Sequence, residues 1–374
     1  MRLCYIANPN SIHTQRWIHW FVHRGHEVHL IGEHAVQQPI PSGCAFYDLP
    51  AQTDVRRLRY IIWGRAVRRI VREIRPDLLH AHQVASAGWL GAAAGYHPFL
   101  VTAWGSDLLL GPSRSWAHRQ LARWVLRQAD YVTCVSEGLA DTAQSLGTDP
   151  SRLEVVPWGV DTTIFHPAPA GGTQGTVDRS RLGLGVGPVI LSTRAVRPVY
   201  NPLDIAHAIP LVLGQVPGAQ FVIRTYAYDA GLLARFQAII EEHRATHAVH
   251  YVGALPGDRA IADLYRLADV AVSVPSSDGT PISVLEALAC GLPVVLSDVP
   301  SLHEWVQDGR EGLFAPVGDI QAISANIVRL LTDDSLRQTL SENGARLVRQ
   351  RADREFWMRH SEEIYQRLIE DRPA

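Results

Sequence analysis

The feature that most constrains the fold of this chain is a repeated alternation between short apolar runs and longer segments of helical period. In the first half, the apolar runs predict strands over residues 3–7, 28–31, 78–82, 99–102, 131–135 and 153–156. The periodic segments between them predict helices over residues 12–24, 56–74, 116–128 and 139–146. Strands that alternate with helices build parallel sheets covered by helices, so we expect an α/β protein.

The alternation is interrupted once and then resumes. Residues 167–187 are rich in glycine and proline, which is typical of a linker. Beyond them, strands are predicted over residues 189–193, 221–224, 249–252, 270–274 and 294–296. A chain of 374 residues is too long for one typical core, so two domains are expected. We place a Rossmann-like domain at 1–168, a linker at 169–186 and a second Rossmann-like domain at 187–352.

The last segment, residues 353–374, is expected to form an amphipathic helix, because its apolar residues recur at helical spacing. The apolar face of this helix must pack on one of the two domains. The residues that form it are Phe356, Trp357, Ile364, Tyr365 and Leu368.

Composition narrows the class of protein. The formal net charge of -2 predicts no nucleic-acid partner, because such proteins usually carry a basic excess. Cys4, Cys44, Cys134 and Cys290 stand apart without metal-ligand spacing, as expected of reduced thiols in the cytoplasm. No apolar run reaches the roughly 18 to 20 residues of a membrane-spanning helix, so we expect a cytoplasmic protein, with peripheral membrane contact as an alternative. All 35 basic residues are arginine, which excludes lysine Schiff-base chemistry.

Candidate binding residues are concentrated in one segment, residues 270–295, VAVSVPSSDGTPISVLEALACGLPVV. A β-branched strand leads through a loop to a helix that Thr280 is expected to cap, with Pro281 at its first position. The free N–H groups at that helix start suit a diphosphate. Asp278 lies in the loop and Glu286 in the helix, so one carboxylate can meet a sugar and the other a ribose. The alternative is a surface loop before an ordinary amphipathic helix.

This segment resembles the signature of family-four retaining glycosyltransferases of the GT-B fold, also described as glycosyl transferases group 1. The first acid of that signature is usually glutamate, and Asp278 is the shorter variant. The matching residues are Asp278, Gly279, Pro281, Glu286, Ala287, Gly291 and Pro293. Further similar segments, among them residues 76–82, 158–161 and 192–198, extend the resemblance over nearly the whole chain. It implies two doubly wound domains facing a central cleft, with the C-terminal helix crossing back to the first domain.

The resemblance also implies roles for individual residues. Glu286 would bind the ribose hydroxyls, Asp278 would contact the donor sugar, and Arg194 would bind the donor diphosphate. The other residues of the donor loop and helix start are Gly279, Thr280, Pro281, Ile282, Ser283 and Val284.

The sequence departs from the family at the lysine that commonly follows this arginine. Tyr200 and Asn201 stand there, and Arg197 is the alternative substitute, although an arginine fork and a lysine point charge are not equivalent.

The acceptor side departs from the family at a first-domain histidine, whose position aligns with Trp104. An indole cannot exchange a proton, so Asp107 or His13 is expected to fill the polar role. Ser11 and His13 follow the first strand in a loop that the family uses near the acceptor, although Ser11 is equally well interpreted as a helix cap. His82, at a strand end, is a further candidate, with a purely structural histidine as the alternative.

The activity implied is retaining transfer of a sugar from a nucleoside diphosphate sugar to the hydroxyl of a glycan, a lipid-linked compound or a small molecule. UDP is the expected nucleotide, with no cofactor, and no metal is expected because no Asp-x-Asp motif occurs. The alternatives are a nucleotide-sugar epimerase of the same fold and a non-catalytic relative that binds sugar nucleotides.

Two arginine-rich segments raise the question of a membrane partner. Residues 56–75 contain eight arginines interleaved with apolar residues, and residues 116–128 repeat the pattern with two tryptophans. Such segments either lie on anionic membranes or form solvated faces.

Overall fold

The computed structural model describes residues 1–37, 39–49, 56–168 and 177–371, and for residues 56–60 the backbone alone. Contacts within the chain separate two compact units. Residues 1–158 and 356–371 form the first unit, and residues 159–355 form the second. Each unit contains a parallel sheet, as the alternation of apolar runs and helices predicts.

The first unit is built on a seven-stranded sheet. Its strands are β1 (Arg2–Ala7), β2 (Glu27–Gly32), β3 (Cys44–Asp48), β4 (Leu78–His82), β5 (Phe99–Ala103), β6 (Tyr131–Cys134) and β7 (Leu153–Val155). Its first six helices are α1 (Ile12–His23), α2 (Arg56–Ile74), α3 (Ser86–Ala94), α4 (Ser106–Leu109), α5 (Trp116–Gln128) and α6 (Glu137–Ser145). The spatial order β3-β2-β1-β4-β5-β6-β7 reverses between β1 and β4, and ligands of such sheets bind beyond the carboxyl ends of the strands at that point.

Side chains of these strands alternate between two apolar clusters, one on each face of the sheet. On one face, Ile6 and Phe99 pack with Val71 and Leu90 of the covering helices. On the other face, Tyr5 belongs to a cluster that includes residues of α1 and of the last helix. Both faces are therefore covered, which is the doubly wound arrangement.

The second unit repeats this plan with six strands in the order β10-β9-β8-β11-β12-β13. They are β8 (Val189–Ser192), β9 (Gln220–Arg224), β10 (Val249–Val252), β11 (Val270–Ser273), β12 (Val294–Ser297) and β13 (Gly312–Ala315). Its helices are α7 (Pro202–Gln215), α8 (Ala230–Glu242), α9 (Gly257–Leu267), α10 (Ile282–Ala289), α11 (Pro300–His303), α12 (Ile320–Thr332) and α13 (Asp334–Arg351). The strand order reverses between β8 and β11, so ligands of this sheet are expected at their carboxyl ends.

The final helix, α14 (Arg354–Glu370), belongs to the core of the first unit from Phe356 onward. The Tyr365 ring stacks on Phe21 with centroids 5.0 Å apart, and Trp17 Nε1 donates to the Tyr365 hydroxyl at 3.1 Å. The apolar face of this helix thus covers one face of the first sheet.

The division between units falls ten residues before the boundary expected at 168. Residues 159–168 join the second unit because they bind its last segment. The Val160 N–H donates to the Ala352 carbonyl at 2.7 Å, and the Thr162 hydroxyl donates to the Asp353 carboxylate at 2.7 Å. Residues 169–176 of the expected linker lie outside the described residues.

Two strands, β3 and β13, were absent from the sequence prediction. β3 is a half-buried edge strand, so its residues do not read as a continuous core segment. The other strand, β13, begins with Gly312, and glycine is depleted in strands. Gly312 pairs with Val294 in the sheet, where an added Cβ would lie 2.7 Å from the Val294 Cγ2 atom. Glycine is required there by the close approach of a neighbouring strand.

No helix in the described ranges is long and apolar enough to cross a membrane. The four cysteines are free thiols. Cys4, Cys134 and Cys290 are buried, whereas Cys44 is partly exposed.

Candidate functional site

A polar cluster at the carboxyl ends of the second sheet centres on Arg194. This residue follows β8, and the loop after the neighbouring strand β11 carries Asp278. Arg194 Nη2 donates to Asp278 Oδ1 at 3.2 Å, Nη1 lies 3.1 Å from Oδ2, and Nη1 donates to the Ser283 hydroxyl at 3.0 Å. The guanidinium therefore bridges the loop and the first turn of α10.

Both members of this ion pair are nearly buried, with 12 % of the Arg194 side chain and 11 % of the Asp278 side chain exposed. Burial by itself lowers the pKa of Arg194, but the Asp278 charge, Tyr200 and Tyr226 together more than offset it, and the pKa is raised. The Tyr200 ring lies 4.2 Å from the guanidinium carbon and adds a cation–π contact. Arg194 thus remains a fixed cation at the strand ends.

Asp278 keeps part of its capacity to bind a ligand. Its Oδ1 accepts from Arg194 and from the Gly279 N–H at 2.9 Å. Its Oδ2 is buried and has no hydrogen-bond partner among the described residues, because the nearby Nη1 lies off the line of a hydrogen bond. A buried carboxylate oxygen in this state is suited to accept a hydrogen bond from a ligand hydroxyl.

The start of α10 differs from the sequence prediction. The helix begins at Ile282, Pro281 occupies the N-cap position, and no side-chain cap is present, so capping by Thr280 was wrong. The reason is a tight turn centred on Pro281, whose φ of -82° and ψ of 68° are those of an inverse γ-turn. Ile282 N–H donates to the Thr280 carbonyl at 2.9 Å and Val284 N–H to the Pro281 carbonyl at 2.9 Å.

Glu286 lies within α10 and is buried, with 6 % of the residue exposed. The hydroxyl of Tyr265, a fully buried residue of α9, donates to Glu286 Oε2 at 3.4 Å. The carboxylate is therefore held in place from a neighbouring helix.

The two candidates for the place of the family's lysine have different surroundings. Asn201 adopts a left-handed conformation with a φ of 45°, and its Nδ2 donates to the Val274 carbonyl at 3.0 Å, so it joins the β8 loop to the β11 loop. Arg197 is exposed, and its side chain makes no hydrogen bond, ion pair or ring contact with the described residues. Tyr200 and Asn201, rather than Arg197, therefore lie at the Arg194 cluster.

The acceptor-side candidates of the first unit form an aromatic cluster at the carboxyl ends of β1, β4 and β5. His13 stacks on Trp158 with ring centroids 3.9 Å apart, and both rings contact Trp104, at 6.0 Å and 4.8 Å. Trp104 lies 5.1 Å from the His82 ring. The indole Nε1 of Trp104 is buried without a hydrogen-bond partner among the described residues.

The two histidines of β4 have different surroundings. His80 Nδ1 lies 2.6 Å from the Tyr365 hydroxyl and Nε2 lies 2.7 Å from the Thr102 hydroxyl, so it is a satisfied core residue. Both ring nitrogens of His82 are buried and lack partners in the described part of the chain. Burial lowers the pKa of His82 to about 3, and burial together with His82 lowers that of His80. Both imidazoles are neutral at physiological pH.

Asp107 lies in the short helix α4 and organises the turn between β5 and this helix. Its carboxylate accepts from the N–H groups of Val84 at 2.8 Å, Gly105 at 2.8 Å and Trp104 at 3.1 Å. Burial raises the pKa of Asp107, although these hydrogen bonds oppose the shift. This geometry positions Trp104, and the proton-exchange role of Asp107 stays a prediction.

Ser11 occupies the N-cap position of α1, but its side chain makes no cap hydrogen bond. The preceding loop is held by Asn8, which accepts from the N–H groups of Asn10 at 3.0 Å and Ser11 at 3.2 Å. The hydroxyl is thus not used as a cap.

One candidate residue of the second unit, Arg224, was not identified from the sequence. Arg224 ends β9 and is buried. A charged residue that closes an apolar strand, as in FVIR, is the signal that marks it.

Comparison with known proteins places the chain in a family. The model described as Glycosyl transferase 4-like matches residues 2–136, and that of Glycosyl transferases group 1 matches residues 178–347. A D-inositol 3-phosphate glycosyltransferase of Xylanimonas cellulosilytica is 30 % identical over 325 residues, which are 80 % of this chain and 73 % of that protein. The chain belongs to the family-four glycosyltransferases, the glycosyl transferases group 1.

Other relatives match more narrowly. The protein of the same description from Rhodococcus erythropolis is 30 % identical over 254 residues, 63 % of this chain, and the match spans 56 % of that protein's length. Among solved structures, sucrose-phosphate synthase from Thermosynechococcus elongatus superposes with a TM-score of 0.82 over 100 % of both chains at 18 % identity. Anabaena HepE in complex with UDP and glucose has a TM-score of 0.80, 18 % identity and coverage of 98 % and 100 %. These likenesses establish the GT-B fold.

Proposed function

We propose that the chain is a retaining glycosyltransferase that moves a sugar from a nucleoside diphosphate sugar to an acceptor hydroxyl. The observation that carries the proposal is Arg194, held by Asp278 and Ser283 where β8, β11 and the start of α10 meet. A fixed, partly buried cation beside a helix N-terminus is suited to stabilise a leaving diphosphate.

In the reaction, the bond between the sugar C1 and the diphosphate oxygen breaks, and a bond between C1 and the acceptor oxygen forms. The acceptor proton passes to the departing diphosphate, so no protein nucleophile is required. Arg194 stabilises the negative charge that develops on the diphosphate. Asp278 Oδ2 accepts a hydrogen bond from a hydroxyl of the donor sugar, a role supported by its lack of a partner.

For the donor we propose a UDP-sugar. Glu286 and Tyr265 form a buried acidic site in α10 and α9 that fits ribose hydroxyls. UDP is supported by the fold likeness to HepE, whose structure holds UDP and glucose. We further propose that transfer needs neither a metal nor a cofactor. The charge of Arg194 supplies the cation that a metal would otherwise provide.

For the acceptor we propose a saccharide hydroxyl. The first unit offers aromatic faces from His13, Trp104 and Trp158 and unpartnered polar atoms on His82 and Trp104. Such a surface is suited to the apolar face of a sugar ring, whose hydroxyls bond the polar atoms.

The test is product analysis with purified protein, UDP-sugars and saccharide acceptors. We expect a glycoside with the anomeric configuration of the donor by NMR, and loss of turnover in Asp278→Ala and Glu286→Ala. A changed sugar formed from donor alone would instead identify an epimerase. Tight nucleotide binding without consumption of any donor would identify a binding relative.

We also propose peripheral contact with an anionic membrane through a surface formed by α2 and α5, which both contact α3. Exposed apolar side chains on these helices lie among arginines, and Trp116 is 77 % exposed. The exposed apolar residues are Ile61, Ile62, Trp116, Leu121 and Trp124. This composition is typical of interfacial helices and fits a lipid-linked saccharide acceptor.

A further inference from the structure

Arg224 lies beside the Arg194 cluster by topology. It is the last residue of β9, and β9 pairs in parallel with β8, where Ser192 faces Ile223. Arg194 and Arg224 therefore follow the carboxyl ends of two adjacent strands, at the edge of the sheet where ligands of doubly wound units bind.

Arg224 is buried without a counter-charge. Only 5 % of the residue is exposed, its Nε has no hydrogen-bond partner, and its guanidinium forms no ion pair within the described ranges. Its described contact is the Tyr226 ring, 4.9 Å from the guanidinium carbon. A buried arginine normally has its donors satisfied, because an unpaired charge is costly to remove from water.

Arg266 of the same unit shows the ordinary arrangement. Its Nη1 donates to Asp263 at 3.1 Å and its Nε donates to the His166 carbonyl at 2.9 Å. Arg266 is thus satisfied within the protein, whereas Arg224 has donors that an anion can occupy.

Tyrosine side chains connect Arg224 to the proposed donor site. Burial raises the pKa of Tyr226, while the charges of Arg194 and Arg224 both lower it, so this phenol lies within reach of both arginines. Tyr265, which binds Glu286, is also within the field of Arg224.

The charge of the cluster explains why a second cation is needed. Asp278 neutralises Arg194, and Glu286 adds a further negative charge. Without Arg224 these three side chains would present a net negative charge to a diphosphate, which opposes anion binding.

We propose that Arg224 binds the diphosphate of the donor as a second cation beside Arg194. The proposal rests on the proposed function, in which a nucleoside diphosphate sugar occupies this unit. In the protein without ligand, the same residue is an uncompensated buried charge, as expected where binding and stability are in conflict.

The test compares Arg224→Met with the wild type by calorimetry, using UDP, uridine and inorganic pyrophosphate. We expect UDP and pyrophosphate to bind about tenfold or more weakly, as for loss of a charged hydrogen bond, with uridine affinity unchanged. The melting temperature without ligand should be equal or higher. Arg235→Met, which removes an exposed arginine of α8, should change none of these values.

Three results would overturn the proposal. An equal loss of uridine affinity would assign Arg224 to the nucleoside, unchanged UDP affinity would remove it from the site, and a lower melting temperature would make it a structural residue. If wild-type protein binds pyrophosphate through Arg224 but consumes no nucleotide sugar, the inference holds and the proposed function fails. If wild-type protein binds neither UDP nor pyrophosphate, both fail.

Discussion

The carboxyl ends of the two sheets have the same topology and opposite chemistry. In each unit the strand order reverses beside a central strand, β1 in the first and β8 in the second. The second unit places charged groups there, with the Arg194–Asp278 ion pair at 3.1 Å. The first unit places aromatic rings there, with His13 stacked on Trp158 at 3.9 Å. Topology thus determines where each site lies, and the loops determine what it binds.

The electrostatic difference is equally clear. Asp278 holds Arg194 charged, and burial keeps His80 and His82 neutral. A charged site selects an anion and a neutral aromatic site selects an uncharged ring. The difference supports the proposal of a nucleoside diphosphate donor on one unit and a saccharide acceptor on the other, and each prediction below tests one side of it.

The largest effect is expected from the ion pair. Asp278→Ala removes the proposed sugar contact and leaves Arg194 free for the diphosphate. We expect kcat to fall by about 100- to 1000-fold, as for loss of one transition-state contact, while UDP affinity stays the same or rises. Arg194→Met should reduce both kcat and UDP affinity. Steady-state kinetics and calorimetry measure the two quantities.

If Asp278→Ala lost UDP affinity to the same extent as Arg194→Met, the two residues would act as one anion site. The separation of sugar and phosphate contacts would then be wrong. Thermal unfolding of both variants serves as the control, because breaking a buried ion pair leaves one charge unpaired.

A smaller effect is expected on the aromatic side. Trp104→Ala should raise KM for a saccharide acceptor about fivefold, since an aromatic contact contributes about 1 kcal/mol beyond its buried area. UDP affinity should not change. Trp116→Ala, which removes an exposed tryptophan of α5, is the matched control for a soluble acceptor. A change in UDP affinity in Trp104→Ala would show that the first unit also binds the donor.

Sequence periodicity predicted most strands of both sheets, because buried parallel strands are continuous apolar runs. β3 and β13 were not predicted, since one is half-buried and the other contains a glycine required by its neighbour. The signature predicted α10 but not its first residue, because the γ-turn at Pro281 depends on how the loop folds.

Side-chain partners were harder to predict than elements. Arg194 and Asp278 are 84 positions apart, and only the register of β8 and β11 brings them together. Each was expected at the donor site on its own, but their ion pair was not. Trp158 was considered only as part of the segment 158–161 that is similar to the family, yet its ring stacks on His13.

The pH dependence of stability tests the same comparison, because it reports whether His82 of the aromatic site is neutral in the folded protein. Burial lowers the pKa of folded His82 to about 3, below the 6.5 of an exposed histidine. The unfolded chain therefore binds a proton first as pH falls, and stability is lost from pH 6.5 down toward pH 3. For one histidine the loss is about 1.4 kcal/mol per pH unit. Urea unfolding of His82→Phe between pH 7 and pH 4.5 should show a slope shallower by about this amount.

Ile12→Gln is the control, because Ile12 is exposed on α1 and carries no titratable group, so its replacement should leave the slope unchanged. An unchanged slope in His82→Phe as well would mean that His82 accepts a proton in the folded protein. The aromatic site would then be able to carry charge, and the contrast with the second unit would be lost.

The smallest effect is expected at the proposed membrane surface, which would extend the role of the first unit beyond its aromatic site. Trp116→Ser should weaken binding to vesicles that contain anionic lipid by about threefold to tenfold, because an interfacial tryptophan buries only part of its surface in the lipid. Tyr228→Ser removes a 55 % exposed ring from the second unit and should leave vesicle binding unchanged. Equal losses in both variants would indicate nonspecific adsorption. If only Trp116→Ser weakens binding, and neutral vesicles bind neither protein, the arginines and the exposed tryptophan act together, and the acceptor is expected at the lipid surface.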